Sequence, residues 1–246
     1  MAKRARKKPT RRQGRAIGRF ITFEGGEGSG KSTQIRILAD HLKSQGIEVV
    51  VTREPGGSPG AEIVRHLLLS GVGKLLGADA ETLLFAAARD DHVHQVIKPA
   101  LDQGKWVLCD RFTDSTAAYQ GAAGQVDPAF IRALTHATIG KLEPDLTFIL
   151  DVPVAVGLER ANERRGKNAV DRFEGEGLAF HESLRDAYRK IAAENPARCV
   201  VIDADAEPAK VAERIRQALR KHFAAKTPVA KTRASATKTK TSIGGA

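Results

Sequence analysis

In ITFEGGEGSGKSTQ, residues 21–34, the residues Gly25, Gly30, Lys31 and Ser32 fall into the spacing G-x-x-x-x-G-K-[ST], between an apolar run and an amphipathic one. Glycines at those positions let successive backbone N–H groups turn inward on phosphate oxygens, and the helix N-terminus that follows adds positive potential. Lys31 neutralises charge and Ser32 is placed to ligate Mg²⁺. The predicted first ligand is a nucleoside triphosphate, cradled by Gly25, Gly26, Glu27, Gly28, Ser29, Gly30, Lys31, Ser32 and Thr33. Downstream, KWVLCD ends in Asp110, a carboxylate at the tip of an apolar strand, suited to holding the hydration shell of that Mg²⁺.

Three further groups stand where strands or helices would aim them at the same end of the molecule. TREPGG puts Arg53 and Glu54 directly after a strand, ahead of a proline and two glycines that force an irregular loop. An arginine there can fork onto a phosphate. ETLLFAAARDDH sets Phe85 and Arg89 four apart, so a ring and a guanidinium share one helix face. DRFTDSTAAYQG does the same for Thr116, Tyr119 and Gln120. Taken singly, each reads equally as core or as solvated surface; as a set next to a phosphate cradle they point to a second ligand. No Ser-His-Asp triad or pair of catalytic carboxylates is visible.

The elements that must position these groups alternate along the chain. Five apolar runs rich in β-branched residues, RFITFE, IEVVVT, KWVLCD, DLTFIL and RCVVID, are predicted strands. Between the first two, Ile35, Leu38, Ala39 and Leu42 recur at i, i+3, i+4 and i+7, a helix that stops at Gly46. Helical patterns are also predicted over Pro59–Ser70, Asp79–Gln103, Ser115–Gln120, Pro128–Gly140, Pro153–Arg165, Leu178–Asn195 and Pro208–Phe223. Such alternation implies an α/β fold, a five-stranded parallel sheet with helices on both faces and a ligand crevice at the carboxyl ends of the strands.

The 246 residues, 41% apolar, suit one catalytic domain. A net charge of +11 resembles a nucleic-acid signature until it is located. Residues 1–19 hold nine Lys and Arg and residues 225–246 five more, with no acid in either, which leaves 26 basic against 29 acidic residues between. Both ends are predicted to be disordered basic tails flanking a domain over residues 20–224, because they lack the apolar area to offset the entropy of ordering. No secretory signal and no membrane span is apparent, so a cytoplasmic location is expected. Cys109 and Cys199 lie in apolar runs without metal-ligand spacing and are expected to be buried thiols.

The motifs FEGGEGSGKST, TREPGG, LLFAAARDDHV, IKPALDQGKWVLCDRFTDSTAAYQG, PDLTFILDV and DRFE resemble those of the thymidylate kinases over residues 20–223. The resemblance implies the P-loop nucleoside monophosphate kinase fold and phosphorylation of dTMP to dTDP by ATP with Mg²⁺. It also implies Phe85 stacked on thymine, Arg89, Thr116 and Gln120 in polar contact with the base, and Tyr119 excluding a ribose 2′-OH. Arg53 and Arg111, with Arg65 assisting, would hold the acceptor phosphate beside Glu54, and Glu27 would sit near the deoxyribose and Mg²⁺. A homodimer is implied as well. Phe112 stands where tyrosine is common in that family, and the basic tails have no counterpart in its minimal pattern.

The expected nucleophile, a phosphate oxygen, is already ionised near neutral pH, so positioning and cationic stabilisation are the chemistry required. The phosphate loop of this chain has Glu27, Gly28 and Ser29 but no arginine, so the resemblance assigns the catalytic arginine to a charge-dense lid over about residues 160–177. Arg160, Arg164 and Arg165 are its candidates, acting with Lys31 and Arg111. Two alternatives stay open on sequence alone: another nucleoside monophosphate or deoxynucleoside kinase on the same scaffold, and a nucleotide-gated protein whose basic arms contact nucleic acid nonspecifically.

Overall fold

All five predicted strands form and join one sheet. In the computed structural model, which describes residues 17–70, 75–165 and 176–226, β1 spans Arg19–Glu24, β2 Val49–Arg53, β3 Trp106–Asp110, β4 Leu146–Asp151 and β5 Cys199–Asp203. Their order is β2-β3-β1-β4-β5, with every neighbouring pair parallel. Asp110 lies opposite Phe23 on one side and Arg53 on the other, so β1, β2 and β3 end at one level.

Parallel strands bury both faces, and alternate residues divide between two cores. Ile21, Phe23, Leu108, Phe148 and Ile202 pack under α1 (Lys31–Ser44) and α9 (Pro208–Lys226). Phe20, Val107 and Cys109 pack on the other face, where α3 (Ala78–His92), α4 (Lys98–Asp102) and α6 (Pro128–Ile139) lie; Ile149 and Cys199 meet α8 (Leu178–Glu194) there. The remaining helices are α2 (Pro59–Leu69), α5 (Thr113–Thr116) and α7 (Val154–Arg165). The chain leaves β1 toward the α1 face and β3 toward the opposite face, which opens a crevice at the carboxyl ends of these two neighbours. Cys109 and Cys199 are buried free thiols, as expected.

Several predicted boundaries change. The helix expected over Asp79–Gln103 is α3 and α4 joined by a π-helical turn, Val93–Ile97. Pro99 offers no N–H to the preceding turn, and the widened register accommodates that loss. The helix expected over Ser115–Gln120 starts earlier, as α5, and continues as a π-helical segment over Ala117–Ala123. Arg19 belongs to the domain and not to the predicted tail: it opens β1, donates to Asp145 at 3.3 Å and lies over the Phe223 ring. At the other end α9 runs to Lys226, beyond the predicted boundary at residue 224. Residues 1–16 and 227–246 of the predicted tails, and the lid residues 166–175, fall outside the described residues. No helix among the described residues is long and apolar enough to cross a membrane.

Candidate active site

The phosphate loop is shaped by a contact that its own motif does not contain. Gly28 takes φ 63°, and a Cβ there would collide with the carbonyl of Gly157 on α7; conversely, a Cβ on Gly157 would lie 2.6 Å from Glu27 O. Two glycines 129 positions apart in sequence therefore let the loop rest on α7. Gln34 N–H is bonded back to Gly30 O, which leaves the earlier N–H groups of α1 to face a ligand. Lys31 is nearly buried and donates to Gly25 O and Gly26 O at 3.1 and 2.9 Å. Burial lowers its ammonium to about 8, assisted by the charge of Arg111 and opposed by Glu27, Asp110 and Glu24.

Ser32 Oγ donates to Asp110 Oδ2 at 2.7 Å, which joins the head of the loop to the tip of β3. A hydroxyl and a carboxylate at the mouth of a phosphate cradle are the hard oxygen donors Mg²⁺ takes, and that ion keeps most of its shell as water and phosphate oxygen. The pair fits the cofactor expected from sequence.

Arg111 occupies the centre. It adopts φ 68°, and its guanidinium donates to Glu27 Oε1 at 2.6 Å, Gly25 O at 3.0 Å and Tyr188 OH at 3.1 Å. Tyr119 OH donates to the same Glu27 oxygen at 2.8 Å, and Arg111 lies 4.9 Å over its ring. Burial by itself would raise the Glu27 carboxyl, but Arg111, Lys31 and the Tyr119 hydroxyl outweigh it and hold the group at about 2. The same burial pushes the Tyr119 phenol up, so it remains a donor.

Behind these groups lies a polar wall. Arg89, 3% exposed, donates through Nε to Glu54 Oε2 at 2.7 Å and through Nη2 to Thr116 Oγ1 at 2.9 Å and Phe112 O at 3.2 Å. His92 Nδ1 meets Glu54 Oε1 at 3.1 Å and its Nε2 meets Thr52 Oγ1 at 2.6 Å. Glu54, expected as a ligand residue, thus braces Arg89 as well as lining the crevice, and its peptide bond to Pro55 is cis. Gln120 Nε2 donates to Glu81 Oε1 at 3.3 Å. Arg53 pairs with Glu62 at 2.9 Å, and Arg65 donates to Pro55 O at 2.6 Å.

One cavity of about 390 Å³ joins the two halves. It is lined by loop residues Glu27 to Thr33, by Arg53, Glu54, Arg65, Phe85, Arg89, Asp110, Arg111, Thr116, Tyr119 and Gln120, and by Arg164 of α7. Gly25 and Gly26 are not on this wall; their carbonyls hold Lys31 from behind. Of the three lid candidates, Arg164 faces the cavity, whereas Arg160 turns away to Ala204 O at 3.1 Å and Asp205 at 3.4 Å; the Arg165 side chain lies outside the described residues. Sequence reasoning missed Glu24, His92, Ser115, Gly157 and Tyr188. Their only sequence signals were an acid closing an apolar strand and a histidine three after Arg89.

Comparison with known proteins agrees with this geometry. The family model described as thymidylate kinase matches residues 23–215. A thymidylate kinase of Afipia carboxidovorans is 76% identical over 229 residues, spanning 93% of this chain and 98% of its own. One of Nitrobacter winogradskyi is 70% identical over 218 residues, 89% of this chain and 94% of its own. The crystal structure of thymidylate kinase from Ehrlichia chaffeensis superposes with a TM-score of 0.68 at 38% identity, covering 82% of this chain and 99% of that one. A phosphate loop, a base-sized pocket beside it and an arginine between them, in a chain so close to these relatives over nearly its whole described length, make this protein a member of the thymidylate kinase family.

Proposed function

We propose that the chain transfers the γ-phosphoryl group of ATP to the phosphate of dTMP, giving dTDP and ADP, with Mg²⁺ held by Ser32 and Asp110. The observation that carries this reading is the single cavity shared by the phosphate loop and the Phe85–Gln120 pocket, since direct transfer needs donor and acceptor end to end without intervening water.

Each residue then has a task that follows from its surroundings. The loop N–H groups and Lys31 take the β- and γ-phosphates, and Lys31 exchanges its loop carbonyls for phosphate oxygens. When bound, Mg²⁺ neutralises charge on those phosphates. Arg111, with Arg53 and Arg65, receives the acceptor phosphate, and its pairing with Glu27 keeps it aimed before substrate arrives. Phe85 offers the aromatic face for thymine, while Thr116, Gln120 and the braced Arg89 supply the polar edge. The Tyr119–Glu27 pair narrows the space where a 2′-OH would sit. Arg164 is the lid arginine assigned to the transferring group, because it reaches the cavity from α7. No proton has to be removed from the nucleophile, because a phosphate oxygen is already ionised near neutral pH.

A homodimer belongs to the same proposal. Ile63 on α2 and Leu83 on α3, 74% and 48% exposed on helices that pack together, are apolar side chains that a second copy would cover. Sedimentation at micromolar concentration reads this directly, and a monomer there rejects it. The cytoplasmic location and nonspecific nucleic-acid contact through the basic tails remain expectations from sequence. The enzyme reading is tested by Lys31→Ala and Arg111→Ala: with melting curves that show folded protein, dTDP formation is expected to fall by at least roughly a hundredfold. Wild-type turnover in either folded variant rejects the role assigned to that residue.

A further inference from the structure

We propose that Glu24 is the positioning residue for Arg111: its carboxylate holds the left-handed turn that presents this arginine and, through Ser115 and Tyr188, aims the guanidinium into the crevice. The inference rests on the reading that Arg111 receives the acceptor phosphate.

Glu24 closes β1 on the face it shares with Phe20 and Thr22, and it is wholly buried. A strand-end carboxylate removed from water has to be matched by donors. Oε1 accepts the backbone N–H of Phe112 at 2.8 Å. Oε2 accepts Ser115 Oγ–H at 2.5 Å and Tyr188 OH at 3.2 Å. Phe112 follows Arg111, whose φ of 68° is a conformation that an L-residue keeps only when its surroundings over-determine it. The Glu24–Phe112 bond clamps the far side of that turn, as Arg111 N–H to Phe23 O at 2.9 Å clamps the near side.

The side-chain link is directional. A carboxylate only accepts, so it draws the Ser115 and Tyr188 protons toward itself and leaves their lone pairs for other donors. Arg111 Nη1 uses those lone pairs, donating to Tyr188 OH at 3.1 Å and Ser115 Oγ at 3.3 Å. The two hydroxyls also lie 2.8 Å apart, so whichever proton points between them, the chain of bonds still ends on Glu24. A glutamine at this position has the same shape but turns an N–H toward the hydroxyls, which reverses the order and sets a donor against the guanidinium.

The titratable and charged groups facing Glu24 are Arg111, Asp114 on α5, Lys31 on α1, Tyr188 on α8, and the thiols of Cys109 and Cys199. Asp114 is itself held by Arg198 at 2.7 Å. Burial, then the charge of Asp114, pushes the Glu24 carboxyl up to about 7, against the opposing pull of Ser115, Arg111 and the Phe112 N–H. Below that pH Glu24 carries a proton and loses its acceptor-only character. Turnover therefore gains an acid limb from Glu24, above the limb that the substrate phosphates give at about pH 6.

The test compares kcat, and KM for dTMP and ATP, between pH 5.5 and 9 for the wild type, Glu24→Gln and Ser115→Ala, with melting curves on each. In Glu24→Gln we expect kcat at pH 8 to fall roughly tenfold or more, KM for ATP to stay within about threefold, and the limb near pH 7 to be lost, leaving the substrate limb at about pH 6. In Ser115→Ala, which removes a hydrogen bond favouring the charged carboxylate, the limb is expected to move to higher pH. A Glu24→Gln protein with wild-type kcat and an unchanged limb overturns the proposal. If that variant does not fold, a folded Ser115→Ala with the wild-type limb overturns it instead. Absence of dTMP turnover in the wild type is a different result: it removes the functional reading itself, and the proposal with it.

Discussion

The substitution Gly157→Ala separates helix stability from loop geometry, because the two respond to it in opposite directions. Gly157 sits within the first turns of α7, where alanine is favoured over glycine by about 1 kcal/mol. Against that gain, the new Cβ lies 2.6 Å from Glu27 O, short of ordinary 3.4 Å contact by about 0.8 Å, and the obstacle is backbone. Overpacking of this kind costs about 1–3 kcal/mol, so the net change in stability is small, between about no change and a 2 kcal/mol loss. Activity has no such compensation. Glu27 carries both the Arg111 pair at 2.6 Å and the Tyr119 bond at 2.8 Å, and the neighbouring N–H groups are the phosphate cradle. A displacement of about 0.5–1 Å at reacting groups costs on the order of 10- to 100-fold in rate. We expect kcat/KM for ATP to fall in that range in a coupled assay with saturating dTMP, and the melting temperature to drop by less than about 8 °C. A variant with wild-type kcat/KM and a raised melting temperature refutes the reasoning, since it means that the loop does not rest on α7.

Arg164→Ala is expected to reduce kcat by roughly 10²-fold or more, while Arg160→Ala, whose guanidinium is spent on Ala204 O and Asp205, keeps kcat within about threefold; equal losses contradict the assignment. His92→Gln removes one of the two braces on Glu54 and is expected to raise KM for dTMP roughly threefold to tenfold at nearly constant kcat; steady-state kinetics check the split, and a kcat loss with unchanged KM counts against it. Glu27, held at about 2 against an ordinary 4.5, contributes stability that is fully present above pH 4.5 and lost as pH falls toward 2. Denaturant titrations of Glu27→Gln and wild type are therefore expected to differ by on the order of 3 kcal/mol at pH 7 and to converge near pH 2; a gap that does not close with acid excludes the linkage.

The site was legible in sequence where a local motif carries the chemistry. Lys31, Ser32 and Asp110 follow from a fixed loop spacing and a strand end, and Phe85 and Arg89 from a single helical interval. The sheet was legible for the same reason, since five β-branched runs bounded by turn residues need no long-range information. What escaped depends on contacts between distant segments. Gly157 reads as an ordinary helix glycine until the loop is laid against it. Tyr188 is one apolar-face residue of α8, yet its hydroxyl ends on Glu24, 164 positions away. Glu24 itself reads as the polar stop of a strand. The π-helical turns that carry Tyr119 and Gln120 have no composition of their own, because packing selects their register. Arg160 and Arg164 are indistinguishable by type, and only the position of the Ala204–Asp205 turn separates them.

The central claim is that a thymine pocket and a phosphate loop share one crevice, so the most direct measurement is the rate of ATP-dependent phosphorylation of dTMP, dUMP, UMP, CMP and AMP by the full chain. Among these acceptors dTMP is expected to have the highest kcat/KM, with the ribonucleotides weakest because Tyr119 and Glu27 close the 2′ side. A preferred acceptor other than dTMP contradicts that claim.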